Sequence, residues 1–309
     1  MLNYDIDLLF IFTFLKSKTS IIPEGSETHF TSDILREHLL GLTITQIEYT
    51  AREGKNMSYL DSDFLGSQLP LIVTDISARG KRIIFVLCNE KGESSALVWF
   101  FAMTGNLRFK VTKYNQMSLT FCRKRDDGSF EECKELHYSD IRTLGFVKYA
   151  VTEDEIRDIF KNIGPDFLLG EVSLPYFKQV LRNKRIRNKW IGALLLEQDK
   201  VSGIGMYIMN ESLFRARISP YRILNELSDS DIEVLYESIM AVMIESYKAH
   251  GLTIGDFYDP FGNPGQYITD VYGHKHDQEG NPVTHEKYGP VPRGTDNRRS
   301  IWWVPAVQI

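Results

Sequence analysis

The sequence has few cysteines and no paired cysteine spacing. It also lacks a membrane-length apolar run and any excess of positive charge. Cys88, Cys122 and Cys133 are the three cysteines among 309 residues, and no Cys-x-x-Cys pair occurs. Such a set offers neither a disulfide framework nor a zinc site of the cysteine-pair type, and it suits a reducing compartment. The apolar stretch Leu8–Leu15, LLFIFTFL, is eight residues long, too short to span a bilayer. Asp5 and Asp7 before it carry the wrong sign for a secretory signal. An intracellular protein with no membrane attachment is therefore expected. The formal net charge is −5, so no overall basic field draws the chain to nucleic acid, although a local basic face is compatible with an acidic remainder. One local cluster stands out: Arg182, Lys184, Arg185, Arg187 and Lys189 fall within eight residues. By charge alone they fit a solvated helix face as well as a phosphate-binding face.

The pattern of apolar residues divides the chain. Residues 23–41 read as a turn and a helix, with Ile34, Leu35, Leu39 and Leu40 on one face and Gly41 placed to end it. From 43 to 150 the apolar runs have strand length: LTITQIEY (42–49), LIVTDI (71–76), RIIFVLC (82–88) and ALVWFF (96–101). Arg79-Gly80 and Asp127-Gly128 punctuate them, and many strands with few helices imply a sandwich or barrel. After Thr152 the period becomes helical. Thr152-x-x-Glu155 is a capping box, and the helix it opens stops at Gly164-Pro165. Ser173 with Pro175 starts a second helix, and Trp190–Gln198 reads as a buried third. Gly203-Ile204-Gly205 turns into a fourth that runs to about Ile218. Ser228-x-x-Asp231 opens a long amphipathic helix with Ile232, Leu235, Ile239, Val242 and Met243 inward, ending at His250-Gly251. The last forty residues read as a hairpin whose arms are VYGHKH and SIWWVPAVQI. His274 and His276 alternate on such an arm with Asp277 beside them, but no third and fourth metal ligand is apparent.

Residues at the junctions carry a resemblance. Pro23-Glu24-Gly25 before a helix is similar to the amino-terminal Pro-Glu-(Gly/Leu)-Pro-Glu of the formamidopyrimidine-DNA glycosylase/endonuclease VIII family. Arg79-Gly80-Lys81 resembles its catalytic lysine hairpin. Ala102-Met103-Thr104-Gly105 resembles its Gly-Met-Ser-Gly, and Asp140-Ile141-Arg142-Thr143-Leu144-Gly145 its Asp-x-Arg-Arg-Phe-Gly. Gly164-Pro165-Asp166 is similar to Leu-Gly-Pro-Asp. GIGMYIMNESLFRARISP (203–220) resembles Gly-x-Gly-Asn-Tyr…Glu-x-Leu-(Phe/Tyr)-Arg-Ala, and GLTIGDFYDPFGNPGQY (251–267) and Arg299-Ser300-Ile301-Trp302-Trp303 complete the run. Each motif is weak alone; in family order over residues 22–309 they are specific.

The resemblance implies an α+β multidomain fold. Residues 23–151 would form a catalytic β-sandwich with a leading helix, 152–250 a helix–two-turn–helix DNA-binding domain, and 251–309 a zincless-finger hairpin, since Val304 and Val307 stand where the family's last zinc cysteines would be. No cofactor or metal is expected. The implied activity is a bifunctional DNA glycosylase/lyase of base excision repair, acting as a monomer on damaged double- or single-stranded DNA. Pro23 would be the nucleophile, Glu24 a proton shuttle at the sugar, Lys81 a phosphate or leaving-base contact, and Arg299 the finger arginine that assists the second elimination. Met103, Arg142 and Leu144 occupy the void-filling positions, with leucine a smaller wedge than the usual phenylalanine. Gly203, Gly205 and Met206 stand where the family presents backbone N–H groups and an asparagine to phosphate, and Lys184, Arg185 and Arg187 would add charge. Met206 has no side-chain donor for a phosphate. An N-terminal amine is also required, so residues 1–22 are expected to be an extension absent from the active form. A catalytically weakened lesion- or abasic-site-binding protein is the alternative that Met206 and the extension favour. A third reading is an unrelated binding module, which an absence of salt-dependent DNA affinity would support. Oxidised pyrimidines and hydantoins are the expected substrates, with 8-oxoguanine and formamidopyrimidines next; the loop at 255–267 resembles that of the 8-oxoguanine enzymes.

Overall fold

The computed structural model describes residues 23–50, 62–253, 257–288 and 299–309; the segment 1–22, assigned above as an extension, lies outside them. The leading helix, α1 (Gly25–Leu39), is followed by β1 (Thr43–Tyr49), a short α2 (Ser62–Ser67), and the strands β2 (Leu71–Arg79), β3 (Arg82–Cys88), β4 (Ser94–Phe100), β5 (Gly105–Arg108), β6 (Asn115–Lys124), β7 (Phe130–Asp140) and β8 (Phe146–Ala150). These strands form one antiparallel ladder in the order β5-β7-β6-β1-β2-β3-β4-β8. β1 and β2 share only the pairs Thr43–Ile72 and Ile44–Leu71, so the ladder folds over at this seam. Rings from the two ends then meet in one core: Trp99 of β4 lies 5.2 Å from Tyr138 of β7, and Phe85 of β3 6.3 Å from Phe121 of β6. The result is the expected sandwich.

The helical half comprises α3 (Glu153–Phe160), α4 (Leu174–Leu181), α5 (Ile191–Leu195), α6 (Met206–Arg215) and α7 (Asp229–Lys248), closed by the strands β9 (Thr284–Tyr288) and β10 (Arg299–Trp303). The predicted caps are present: Thr152, Ser173 and Ser228 side chains accept from the N–H groups of Glu155, Tyr176 and Asp231. The five residues read as the inward face of the long helix, Ile232 to Met243, are fully buried in a core with Tyr207, Ile208, Ile301 and Trp302. Hairpin and helices thus share one apolar interior. No described helix is long and apolar enough to cross a membrane.

Four local expectations are corrected. Leu40 is 46% exposed, because α1 has already ended and the chain turns toward β1. The third helix is only Ile191–Leu195; the Gln198 carbonyl accepts from Gly164 N–H (2.7 Å) instead of continuing a helical ladder. VYGHKH is not a strand. Gly273 has φ +82° and His274 N–H closes a turn on Val271, so paired strand begins at Thr284. The cysteines also differ from expectation: Cys122 and Cys133 are disulfide-bonded, with Cα atoms 4.1 Å apart. The sequence separation did not suggest the pair because the β6–β7 register, with its irregularity between Phe121 and Arg123, is what places them opposite each other.

Candidate active site

The amino-terminal motif and the glycine turn, 180 residues apart in sequence, meet at the junction of the two halves. Pro23 is buried, and the Glu24 carboxylate, 3% exposed, caps the start of α6. Glu24 Oε1 accepts from Tyr207 N–H (3.0 Å) and Oε2 from Ile208 N–H (3.2 Å). These are among the helix N–H groups that have no partner within the helix, and the helix dipole favours a negative charge there. Gly25 N–H donates to Gly203 O at 2.8 Å. The two glycines of the turn permit this approach. Gly203 has φ +92°, and a Cβ on Gly205 would stand 2.1 Å from Glu24 Cδ. The Gly-Ile-Gly turn therefore seats a carboxylate of this chain, and the N–H groups of Tyr207 and Ile208 that phosphate would otherwise meet are taken by it. Gly205→Ala is expected to displace Glu24 and lower any catalysis at this site by about 100-fold or more, since small misplacements at a reacting centre cost on that order; steady-state kinetics beside circular dichroism of the variant would check this.

Glu27, which the sequence reading did not single out, supports Glu24 from within α1. Its Oε2 accepts from Glu24 N–H (3.0 Å), and its Oε1 accepts from Tyr207 O–H and Leu252 N–H, both at 2.9 Å. Burial pushes Glu27 up from the ordinary carboxylate range. Glu24 is pushed up to about 7: burial dominates, the positive charge of Lys81 opposes it, Glu27 adds to it, and the two N–H donors oppose it. A Glu-x-x-Glu spacing at a helix start was the available signal for Glu27.

Lys81 reaches this site from the tip of the β2–β3 hairpin, and the Gly-Pro-Asp motif explains why the tip is held. Asp166 is fully buried. Its Oδ2 accepts from Gly80 N–H at 2.7 Å and lies 2.9 Å from His29 Nε2, while Oδ1 accepts from Leu168 N–H at 2.8 Å. Gly80, at φ +60°, packs on Ser202, whose N–H donates to Pro165 O at 2.9 Å. Arg79 pairs with Glu171 at 2.8 Å, and Glu171 in turn accepts from Asp166 N–H. One buried carboxylate thus fixes the lysine hairpin against α1 and the glycine turn.

The void-filling candidates are brought together by another buried carboxylate. Asp140 accepts from the N–H groups of Arg142 (3.1 Å), Leu144 and Gly145 (both 2.8 Å), and from the Thr104 hydroxyl. This loop lifts Leu144 to 53% exposure, and Thr143 reverses the chain at φ +54°. Arg142 Nη1 sits 3.4 Å from Met103 Sδ. Gly145 has no room for a side chain, since a Cβ would meet Tyr138 Oη at 2.1 Å. Exposed apolar and cationic tips on a rigid carboxylate-centred loop suit insertion into a base stack.

The basic cluster is split. Arg182 pairs with Asp229 and Lys189 with Glu197, whereas Lys184, Arg185 and Arg187 are exposed with no ion pair among the described residues. Met206 begins α6 and packs on the helical core. Glu211 was also missed as an individual residue: it accepts from the N–H groups of Asp270 (2.6 Å), Val271 (3.1 Å) and Tyr272 (2.8 Å), and burial pushes it up to about 7. It ties α6 to the segment leading into the hairpin. Arg299 opens β10 opposite Tyr288. Among the described residues around the hairpin, no donor set fits a zinc ion. Val304 is fully buried and Val307 closes a turn on its carbonyl. Asp277 is occupied by Glu279 and Asn281, and no group of three His, Cys, Asp or Glu suited to a metal occurs among the described residues.

Comparison with known proteins agrees with this arrangement. The formamidopyrimidine-DNA glycosylase N-terminal domain matches residues 22–147, and the formamidopyrimidine-DNA glycosylase H2TH domain matches residues 163–257. The formamidopyrimidine-DNA glycosylase of Desulfitobacterium hafniense is 29% identical over 256 residues, 82% of this chain and 89% of the relative; that of Rickettsia felis is 26% identical over 257 residues, 82% and 87%. The crystal structure of the Thermus thermophilus protein superposes with a TM-score of 0.74 at 26% identity, covering 93% of this chain and 98% of that one. The Lactococcus lactis enzyme bound non-covalently to DNA containing an abasic site gives 0.73 at 25%, covering 92% and 99%. From its two halves and the motifs that join them, the chain belongs to the formamidopyrimidine-DNA glycosylase family.

Proposed function

We propose that this chain is a DNA glycosylase of base excision repair that also nicks the strand as a lyase, with Pro23 as nucleophile once Pro23 is the first residue. The observation that carries the reading is the carboxyl of Glu24 next to Pro23, buried, tuned to about 7 and facing the charge of Lys81. A group titrating near neutrality both gives and takes protons at working pH. The Pro23 nitrogen attacks the deoxyribose anomeric carbon and the bond to the damaged base breaks, the base leaving with a proton that Lys81 helps supply. Glu24 moves protons at the sugar as the ring opens to an iminium ion. That cation withdraws electrons, the adjacent carbon loses a proton, and the 3′ phosphate departs; a second elimination, assisted by Arg299, releases the 5′ phosphate. Met103, Arg142 and Leu144 fill the space the extruded nucleotide leaves, and Lys184, Arg185 and Arg187 bind phosphates upstream of Gly203, Gly205 and Met206.

The partner is damaged double- or single-stranded DNA, met intracellularly by a monomer without metal. Oxidised pyrimidines and hydantoins are the favoured substrates, then 8-oxoguanine and formamidopyrimidines. Met206 supports a second reading, a lesion- or abasic-site-binding protein of weakened activity, because it puts a thioether on the apolar core where the family has an amide. Incubation of a chain that begins at Pro23 with duplexes carrying each lesion class separates the two: cleaved strands are expected, and binding without cleavage for every lesion would favour the second.

A further inference from the structure

A two-stranded hairpin is marginal by itself, and β9–β10 has five paired positions with no metal donor set among the described residues to brace it. Its two faces are held differently. On one, Trp302 is buried between Tyr272 (ring centroids 4.5 Å apart) and His285 (4.1 Å, nearly parallel), and its backbone N–H donates to Asn210 Oδ1 at 3.3 Å. Beyond the strand, Gln308 accepts from Val304 N–H (2.7 Å) and donates to Ile218 O (2.9 Å), clamping the chain end to the helical half. On the other face stands Glu286. One of its oxygens, Oε1, accepts both from the Trp303 indole N–H of β10 (2.8 Å) and from the hydroxyl of Tyr221 (2.6 Å), which lies in the loop after α6. Tyr221 is itself wedged edge-on between Trp303 (5.5 Å) and Trp190 (5.3 Å).

We infer that Glu286 is a positioning residue. Its shared oxygen sets the angle of the hairpin on the helical half, and so the place of Arg299, in the role a bound metal would otherwise have. The inference rests on the reading of the hairpin as a DNA-contacting finger. Its chemistry is distinguishable from that of an ordinary surface acid. An acid near phosphates weakens DNA binding by repulsion, so removing a merely exposed carboxylate tightens binding whatever replaces it. A lock of this kind needs an acceptor with two lone pairs, which an amide oxygen supplies and a methyl group does not.

The test uses the full chain and a duplex carrying a tetrahydrofuran abasic analogue, with the dissociation constant read by fluorescence anisotropy at fixed salt. Glu286→Ala is expected to weaken binding about 5- to 20-fold. Glu286→Gln should stay within about twofold of the parent or bind more tightly, and Tyr221→Phe should fall between. The Trp303 indole N–H resonance should move upfield in Glu286→Ala and keep its position in Glu286→Gln. Unchanged or tighter binding by Glu286→Ala, or equal weakening by both Glu286 variants, overturns the inference. If neither the parent chain nor a chain beginning at Pro23 binds the duplex, the functional reading fails, and the indole resonance still reports on the lock.

Discussion

A chain that begins at Pro23 is expected to be captured covalently on lesion-containing DNA by borohydride, and the 309-residue chain is not. In the longer chain the Pro23 nitrogen is a tertiary amide whose lone pair is delocalised into the Ile22 carbonyl, so it cannot attack carbon. Freed, it becomes a secondary amine. α-Amino groups titrate about 2.5 units below lysine, so about a tenth is uncharged at neutral pH, against roughly one part in 2500 for a lysine side chain. The difference in adduct yield between the two chains should exceed about 1000-fold, because one has a nucleophile and the other does not. Intact mass measured before and after reduction identifies the species. An adduct from a chain whose Met1 terminus is intact would overturn the assignment of Pro23, and so would its absence from the shorter chain.

The second large effect is expected from Glu24→Gln. Its amide cannot exchange a proton at the sugar, and one of the two α6 N–H groups would face an NH₂ instead of an oxygen. Base release should fall about 100- to 10,000-fold, the range of a lost general acid–base. The parent's pH–rate profile should show a titration near 7, where burial places the Glu24 carboxyl, and the variant's profile should lack it. The same shift sets a sign for stability. The folded-state value lies above the unfolded one, so the neutral acid favours folding: the stabilisation is complete below about 4.5 and is lost as pH rises through about 7. Glu211, also pushed up to about 7, acts in the same direction. Thermal melting should therefore drop between pH 5 and pH 8, and less steeply in Glu24→Gln; a melting temperature that rises over that interval in both proteins would contradict the burial of these carboxyls.

Local chemistry made much of this legible. Capping residues at Thr152, Ser173 and Ser228 announce helix starts because a side-chain oxygen must satisfy N–H groups that the first turn leaves open, and all three are found in place. Pro23, Glu24, Lys81, Met103, Arg142 and Leu144 were nameable because they sit in short motifs. What escaped were the positioning roles behind them: Glu27, Asp166 with His29, and Asp140 as a carboxylate hub at the site, and Glu211 and Glu286 at the hairpin. Each acts by accepting N–H or O–H groups, several of them across separations of tens to hundreds of residues. A buried acid looks the same in sequence as an exposed one until the partner elements are folded against it.

By itself, the order of strand-length and helix-period runs determined the two-part architecture, and the junction motifs determined the family. Those features depend on neighbours within a few residues, where periodicity and capping operate. The tertiary structure alone decided that the glycine turn receives Glu24, that the lysine hairpin is held by Asp166, that Cys122 and Cys133 are opposed, and that the last hairpin starts at Thr284 with Glu286 bonded to Tyr221. The physical reason is common to all four. Close approach, burial and strand register are properties of pairs of segments, and no single segment contains the distance between them.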